Sequence, residues 1–105
     1  MDVDQQSFKS EVLESDLPVL VDYHAAWCAP CQMMSPILDK LEKDLAGKIK
    51  VAKVNIDDNQ DLVSQYGIMS IPALFLFKDG KVVKQWLGLQ NGQALKEEVK
   101  QVLSS

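Results

Sequence analysis

The feature that most constrains this chain is the run Val19-Leu20-Val21-Asp22-Tyr23-His24-Ala25, opened by Pro18. It is almost continuously apolar where a half-exposed strand would alternate, so it reads as a central strand covered on both faces. A strand of that kind needs helices above and below it. The following sequence supplies one: from Cys28 to about Ala46, residues Cys31, Met34, Leu38, Leu41 and Leu45 recur every three or four positions as a single apolar stripe. Pro30 falls in the first turn, where a missing N–H costs nothing. Pro36 lies inside and kinks the helix, and Gly47 ends it.

The same alternation continues along the chain. A very short strand precedes a helix over Ser7–Ser15, with Ser7 as its cap and Phe8, Val12 and Leu13 at helical spacing. Lys50–Ile56 reads as a strand, Asp58–Tyr66 as a helix stopped by Gly67, and Ala73–Phe77 and Val82–Leu87 as strands joined through Lys78-Asp79-Gly80-Lys81. Asn91 caps a last helix with Leu95, Val99 and Val102 on its core face. The order β-α-β-α-β-α-β-β-α predicts an α/β fold, a mainly parallel sheet with an antiparallel edge from the last hairpin. With 105 residues and no linker or repeat, residues 1–105 are expected to form one domain.

The net charge is −4, and all eleven basic residues are lysines. Without arginine for bidentate phosphate or base contacts, neither a nucleic acid nor an anionic membrane is expected as partner. The first residues carry no secretory pattern, and no stretch approaches the roughly 20 apolar residues of a membrane span. A reducing cytoplasm is the expected location. A monomer is expected, because no large apolar pattern is left over.

The two cysteines lie in Trp27-Cys28-Ala29-Pro30-Cys31, between a buried strand and a helix. A bond between them closes too small a loop to serve as a structural staple. Residues three apart on a helix lie about 5–6 Å apart at Cβ, and a disulfide accepts Cα separations of about 4.4–6.8 Å. One backbone can therefore hold dithiol or disulfide. Cys28 sits among the unpaired N–H groups of the helix start, which favour a thiolate. Cys31, heading the apolar stripe, is expected to be more buried. Cys28 is thus the candidate nucleophile and Cys31 the resolving thiol. A metal site is disfavoured: His24, Cys28 and Cys31 are the only His and Cys residues, and a strand would point Asp22 away from some of them. The run Asp57-Asp58-Asn59-Gln60-Asp61 is not a calcium loop, because Leu62 and Ile68 stand where Gly and Glu belong. It reads instead as a cap for the next helix.

These residues carry a resemblance to the thioredoxin family over essentially the whole chain. The motif matches the family's Trp-Cys-Gly-Pro-Cys except at Ala29, and Asp22, Pro36, Lys53, Ile71-Pro72 and Gly88 match in order. The resemblance implies a mixed four- to five-stranded sheet flanked by four helices. It implies a reductant of disulfides in target proteins, with no bound cofactor. Its electrons would come from a thioredoxin reductase, NADPH- or ferredoxin-linked. Taken from the residues alone, Asp22 and Lys53 fit two solvent-facing strand-end charges as well as a buried pair. The resemblance implies the pair, with Asp22 exchanging a proton with Cys31 and Lys53 modulating its charge. It also implies a cis bond at Pro72, and a docking surface of Trp27, Ala29, Pro30, Ile71, Pro72 and Gly88. Trp27 alone would fit a core aromatic equally well; Trp86 reads as packing, and Met33 and Met34 as helix filler.

Departures from the pattern matter too. Ala29 restricts the backbone beside the nucleophile, while Pro30, in place of the histidine of oxidising and isomerising relatives, favours a reductant. Gln32, Met69-Ser70 and Ala73 alter the rim of the docking surface. His24 stands where many members have tryptophan; it is either a titrating group or a packed neutral imidazole. Two other functions use the same fold: a thiol oxidase or isomerase, and a binding module that needs neither cysteine.

Overall fold

In the computed structural model, which describes all 105 residues, four strands form one mixed sheet. β1 (Val19–His24), β2 (Lys50–Asn55), β3 (Ala73–Lys78) and β4 (Lys81–Leu87) lie in the order β2-β1-β3-β4. Helices α1 (Ala29–Asp44), α2 (Gln60–Tyr66) and α3 (Gly92–Leu103) and an N-terminal helical segment (Lys9–Leu13) cover it. No helix is long and apolar enough to cross a membrane.

Alternation along β1 sorts the core. Val19, Val21 and Tyr23 face the N-terminal segment and α2, where Phe8, Val12, Leu62, Phe75 and Phe77 are buried with them. Leu20 faces α1 and α3, among Met34, Leu38, Leu41, Leu74, Leu76, Leu95 and Val99. The predicted α1 stripe is buried in full, from Cys31 to Leu45. Asn91 caps α3 as expected, its Oδ1 accepting from the Ala94 N–H at 3.0 Å. Asp79 and Gly80 make the two-residue hairpin turn, with φ of 53° and 77°. A Cβ on Gly80 would lie 3.0 Å from the Leu13 carbonyl oxygen, so this turn needs glycine for space as well as conformation.

Five expectations are corrected. The sheet is not mainly parallel: β1 and β2 are parallel, but β3 runs antiparallel to both β1 and β4. The segment through α2 leaves β2 and enters β3 at the same end of the sheet, so β3 runs back against β1. β3 therefore begins beside the end of β1, with Ala73 opposite Tyr23. The short first strand is reduced to one bridge between Asp2 and Lys53, its register held by the Val3 N–H donating to the Lys53 carbonyl at 2.9 Å. The first helix is shorter and wider than expected, with the Glu14 N–H reaching back to the Lys9 carbonyl. Asp4 rather than Ser7 tethers the turn leading into it, accepting from the Gln6 and Ser7 N–H groups. Finally, the acidic run does not cap α2 through its carboxylates. The side chain of Gln5 accepts from the Asp61 N–H at 2.7 Å, and buried Asn59 accepts from the Gln5 N–H at 2.9 Å.

Candidate functional site

The end of β1 and the start of α1 build the site. Cys28 is the N-cap of α1, in extended conformation, and its Sγ accepts from the Cys31 N–H at 3.2 Å. Cys28 and Cys31 are joined in a disulfide with their Cα atoms 5.2 Å apart. Pro30 lies in the first turn, and Ala29 and Pro30 are exposed. The expected difference in burial is absent: Cys28 is 6 % and Cys31 4 % exposed, because Ala25, Ile56 and Ile71 pack around both. What separates the two is position along the helix, since only Cys28 stands at the cap among first-turn N–H groups.

Asp22 precedes Cys28 on β1, opposite Lys53 of β2, and shares the α1 face with Leu20. It is 2 % exposed and its Oδ1 has no hydrogen-bond partner, which rules out the solvent-facing alternative. Burial pushes its pKa up to about 6, against the pull of the Lys53 charge. The Lys53 ammonium is held by the Ser35 hydroxyl at 2.9 Å and the Asp39 carboxylate at 3.4 Å, rather than by Asp22. Ser35 follows Cys31 by one helical turn, and so faces the same way. A cavity of about 210 Å³ is lined by Asp22, Cys31, Ser35, Lys53, Gln32 and His24, among others. It brings the buried carboxylate and the inner cysteine onto one solvent-reachable space. His24 is half-buried, and burial, then Lys53, hold its imidazole below the ordinary pKa against an opposing pull from Asp2.

Trp27 is no core aromatic. It is 69 % exposed, and its indole N–H donates to the Asp57 carboxylate at 2.9 Å. Asp57 was not legible as a site residue, since thirty positions separate it from Trp27 and only the fold brings them together. The Ile71–Pro72 peptide bond is cis. Ile71 packs beside the cysteine pair, and its N–H and C=O form no hydrogen bond within the chain. Gly88, at φ 80°, donates its N–H to the Pro72 carbonyl at 2.8 Å. This bond ties the end of β4 to the start of β3. Trp86 is buried, with its N–H on Glu98, and Met34 is a core residue, whereas Met33 is exposed.

The family model described as Thioredoxin matches residues 1–101. The chain belongs to the thioredoxin family. It is 55 % identical over 93 residues to a thioredoxin of Rickettsia felis, covering 89 % of each chain. It is 54 % identical over 82 residues to one from Pseudomonas aeruginosa, covering 78 % of this chain and 76 % of that one. A thioredoxin of Alicyclobacillus acidocaldarius is 48 % identical over 93 residues, covering 89 % of each. With the disulfide at the helix start, this membership makes the chain a thiol–disulfide oxidoreductase, a protein-disulfide reductase working through the Cys28–Cys31 couple. The sheet with its four helical elements is the thioredoxin fold.

Proposed function

We propose that Cys28, as thiolate, attacks one sulfur of a target protein's disulfide. A mixed disulfide forms and the target's first sulfur leaves as thiolate. Cys31 then gives its proton to the Asp22 carboxylate and attacks the Cys28 sulfur. The target's second thiolate departs, and the Cys28–Cys31 disulfide remains. Two electrons pass from the pair to the target. The observation that carries this reading is the pair itself. At a Cα separation of 5.2 Å, with Cys28 at the helix cap, one backbone serves both oxidation states.

Lys53, across from Asp22, offsets the negative charge that Asp22 bears before it takes the proton. The docking surface is Trp27, Ala29, Pro30, Ile71, Pro72 and Gly88. The free backbone groups of Ile71 support pairing with an extended target segment, and the exposed Trp27 indole supports an apolar contact beside it. In this reading residues 1–105 work as a single monomeric domain in a reducing cytoplasm. They bind no cofactor and are recharged by a thioredoxin reductase that is NADPH- or ferredoxin-linked.

Equilibration of the pair in thiol buffers, followed by Trp27 fluorescence, tests the direction of electron flow. A potential more reducing than the cytosolic glutathione pool is expected. A clearly more oxidising value would mean that Ala29 has turned the pair toward disulfide donation.

A further inference from the structure

His24 follows Asp22 by two residues on β1, which puts both side chains on the same face of the strand. That spacing is about 7 Å along the strand, no direct hydrogen bond joins the two side chains, and Asp22 Oδ1 is left free to meet a bridging water. Two cavities meet at His24. The smaller one, of about 210 Å³, is lined by Asp22 and Cys31. The larger one, of about 570 Å³, is a polar cleft lined by Asp2, Asp4, Asn55 and Asp58 among others. Only His24 and Lys53 line both. Lys53 is held by Ser35 and Asp39 and has no acceptor to offer a proton. Among the side chains that line the smaller cavity with Asp22 and Cys31, His24 is the one that can accept a proton on one nitrogen and release one from the other.

We propose that His24 is a positioning residue that relays the Cys31 proton from Asp22 to solvent. The inference rests on the role given above to Asp22. In the resolving step, Cys31 loses its proton to the Asp22 carboxylate. The Asp22 carboxyl passes a proton, through water, to the neutral imidazole. The imidazolium then releases one to water in the larger cleft. Asp22 and His24 return to their starting states, and one proton has moved from the thiol to solvent. The reverse path returns it when the pair is reduced.

The surroundings suit the task. Burial drives the Asp22 carboxyl up to about 6 and holds the His24 imidazole below its ordinary value, so both groups favour their neutral forms and neither keeps a charge in the cavity. The charged and titratable groups facing His24 are Asp2 and Asp4 from the N-terminal segment, Lys53 from β2 and Asp58 from the turn after it. Asp22 on its own strand and Cys31 on α1 complete the set. The Asp2 carboxylate favours the imidazolium, while burial and Lys53 oppose it more strongly, so a proton taken up by the ring is readily released to water.

The test is a single-turnover measurement of mixed-disulfide resolution with insulin as substrate, as a function of pH, for the unmodified protein, His24→Gln and Asp22→Asn. His24→Gln should slow resolution about tenfold near neutral pH, with added imidazole restoring it. Formation of the mixed disulfide, measured in a Cys31→Ser background, should be unchanged by His24→Gln. Asp22→Asn should slow resolution as well. If His24→Gln resolves at the unmodified rate and pH profile while Asp22→Asn is slow, the relay is overturned and the role of Asp22 stands. Slowing without imidazole rescue also overturns the relay. If Asp22→Asn resolves normally, both fall. The His24 ring protons of the unmodified protein give a reading independent of the variant's folding. Their titration midpoint, followed by NMR, should move when Asp22 is replaced by Asn, and an unmoved midpoint overturns the coupling.

Discussion

The two faces of β1 begin alike and end differently. On the side of α2, Val19, Val21 and Tyr23 are fully buried, and Phe8, Tyr66, Phe75 and Phe77 stack around them edge-on or tilted, with centroids 5.3 to 6.4 Å apart. On the side of α1, Leu20 is equally buried among leucines, but two residues later the same face presents Asp22, then half-buried His24. One face is packed to its end. The other gives up packing beside the first turns of α1 and opens a polar cavity beside Cys31. Stability and chemistry are thus divided between the faces of a single strand. The site takes its shape from the place where close packing stops.

The largest way to disturb this division is to hollow out the packed face. Phe77→Ala removes a ring in contact with Phe8 and Tyr66, and should cost about 3–5 kcal/mol in urea unfolding. The potential of the cysteine pair should stay unchanged as long as the protein is folded. A large shift of potential would mean that the two faces are not independent.

The next effect has the opposite sign, and comes from the polar face. A carboxyl whose pKa rises from 3.8 to about 6 on folding holds its proton more tightly in the folded state. Its stabilising contribution is full below pH 3.8 and is lost as pH rises through about 6. Above that pH the buried charge costs about 3 kcal/mol. Asp22→Asn should therefore raise stability by about 2–3 kcal/mol at pH 8 and leave it almost unchanged at pH 3.5, measured by urea unfolding of the oxidised protein. Equal effects at both pH values would deny the strained carboxylate.

The smallest effect sharpens the border of the site. Asp57→Ala frees the exposed Trp27 indole and should cost at most about 1 kcal/mol of stability. Trp27 fluorescence anisotropy should fall, because the ring loses its tether. An unchanged anisotropy would mean that packing, rather than this bond, fixes the ring.

Local information was enough for much of this protein. The strand–Cys-x-x-Cys–helix junction, the buried stripe of α1, the Asp79-Gly80 hairpin and the Asn91 cap all follow from neighbours within a few residues. Periodicity, caps and turn residues act at that range. The composition of β1 also shows that both its faces are covered. Beyond that range the fold decided. The direction of β3 depends on the end of the sheet to which the segment through α2 returns. The bond from Trp27 to Asp57, the Gln5 side chain at the start of α2 and the hold of Ser35 on Lys53 join positions brought together only by folding. The same is true of Asp22. Its place in an apolar run made burial an open alternative, but its missing hydrogen-bond partner, its raised pKa and its shared cavity with Cys31 and His24 depend on what β2 and α1 lay against it. A residue type and its spacing specify which chemistry a side chain can perform. The desolvation and charge that tune that chemistry come from residues distant in sequence, and are set only when the chain has packed.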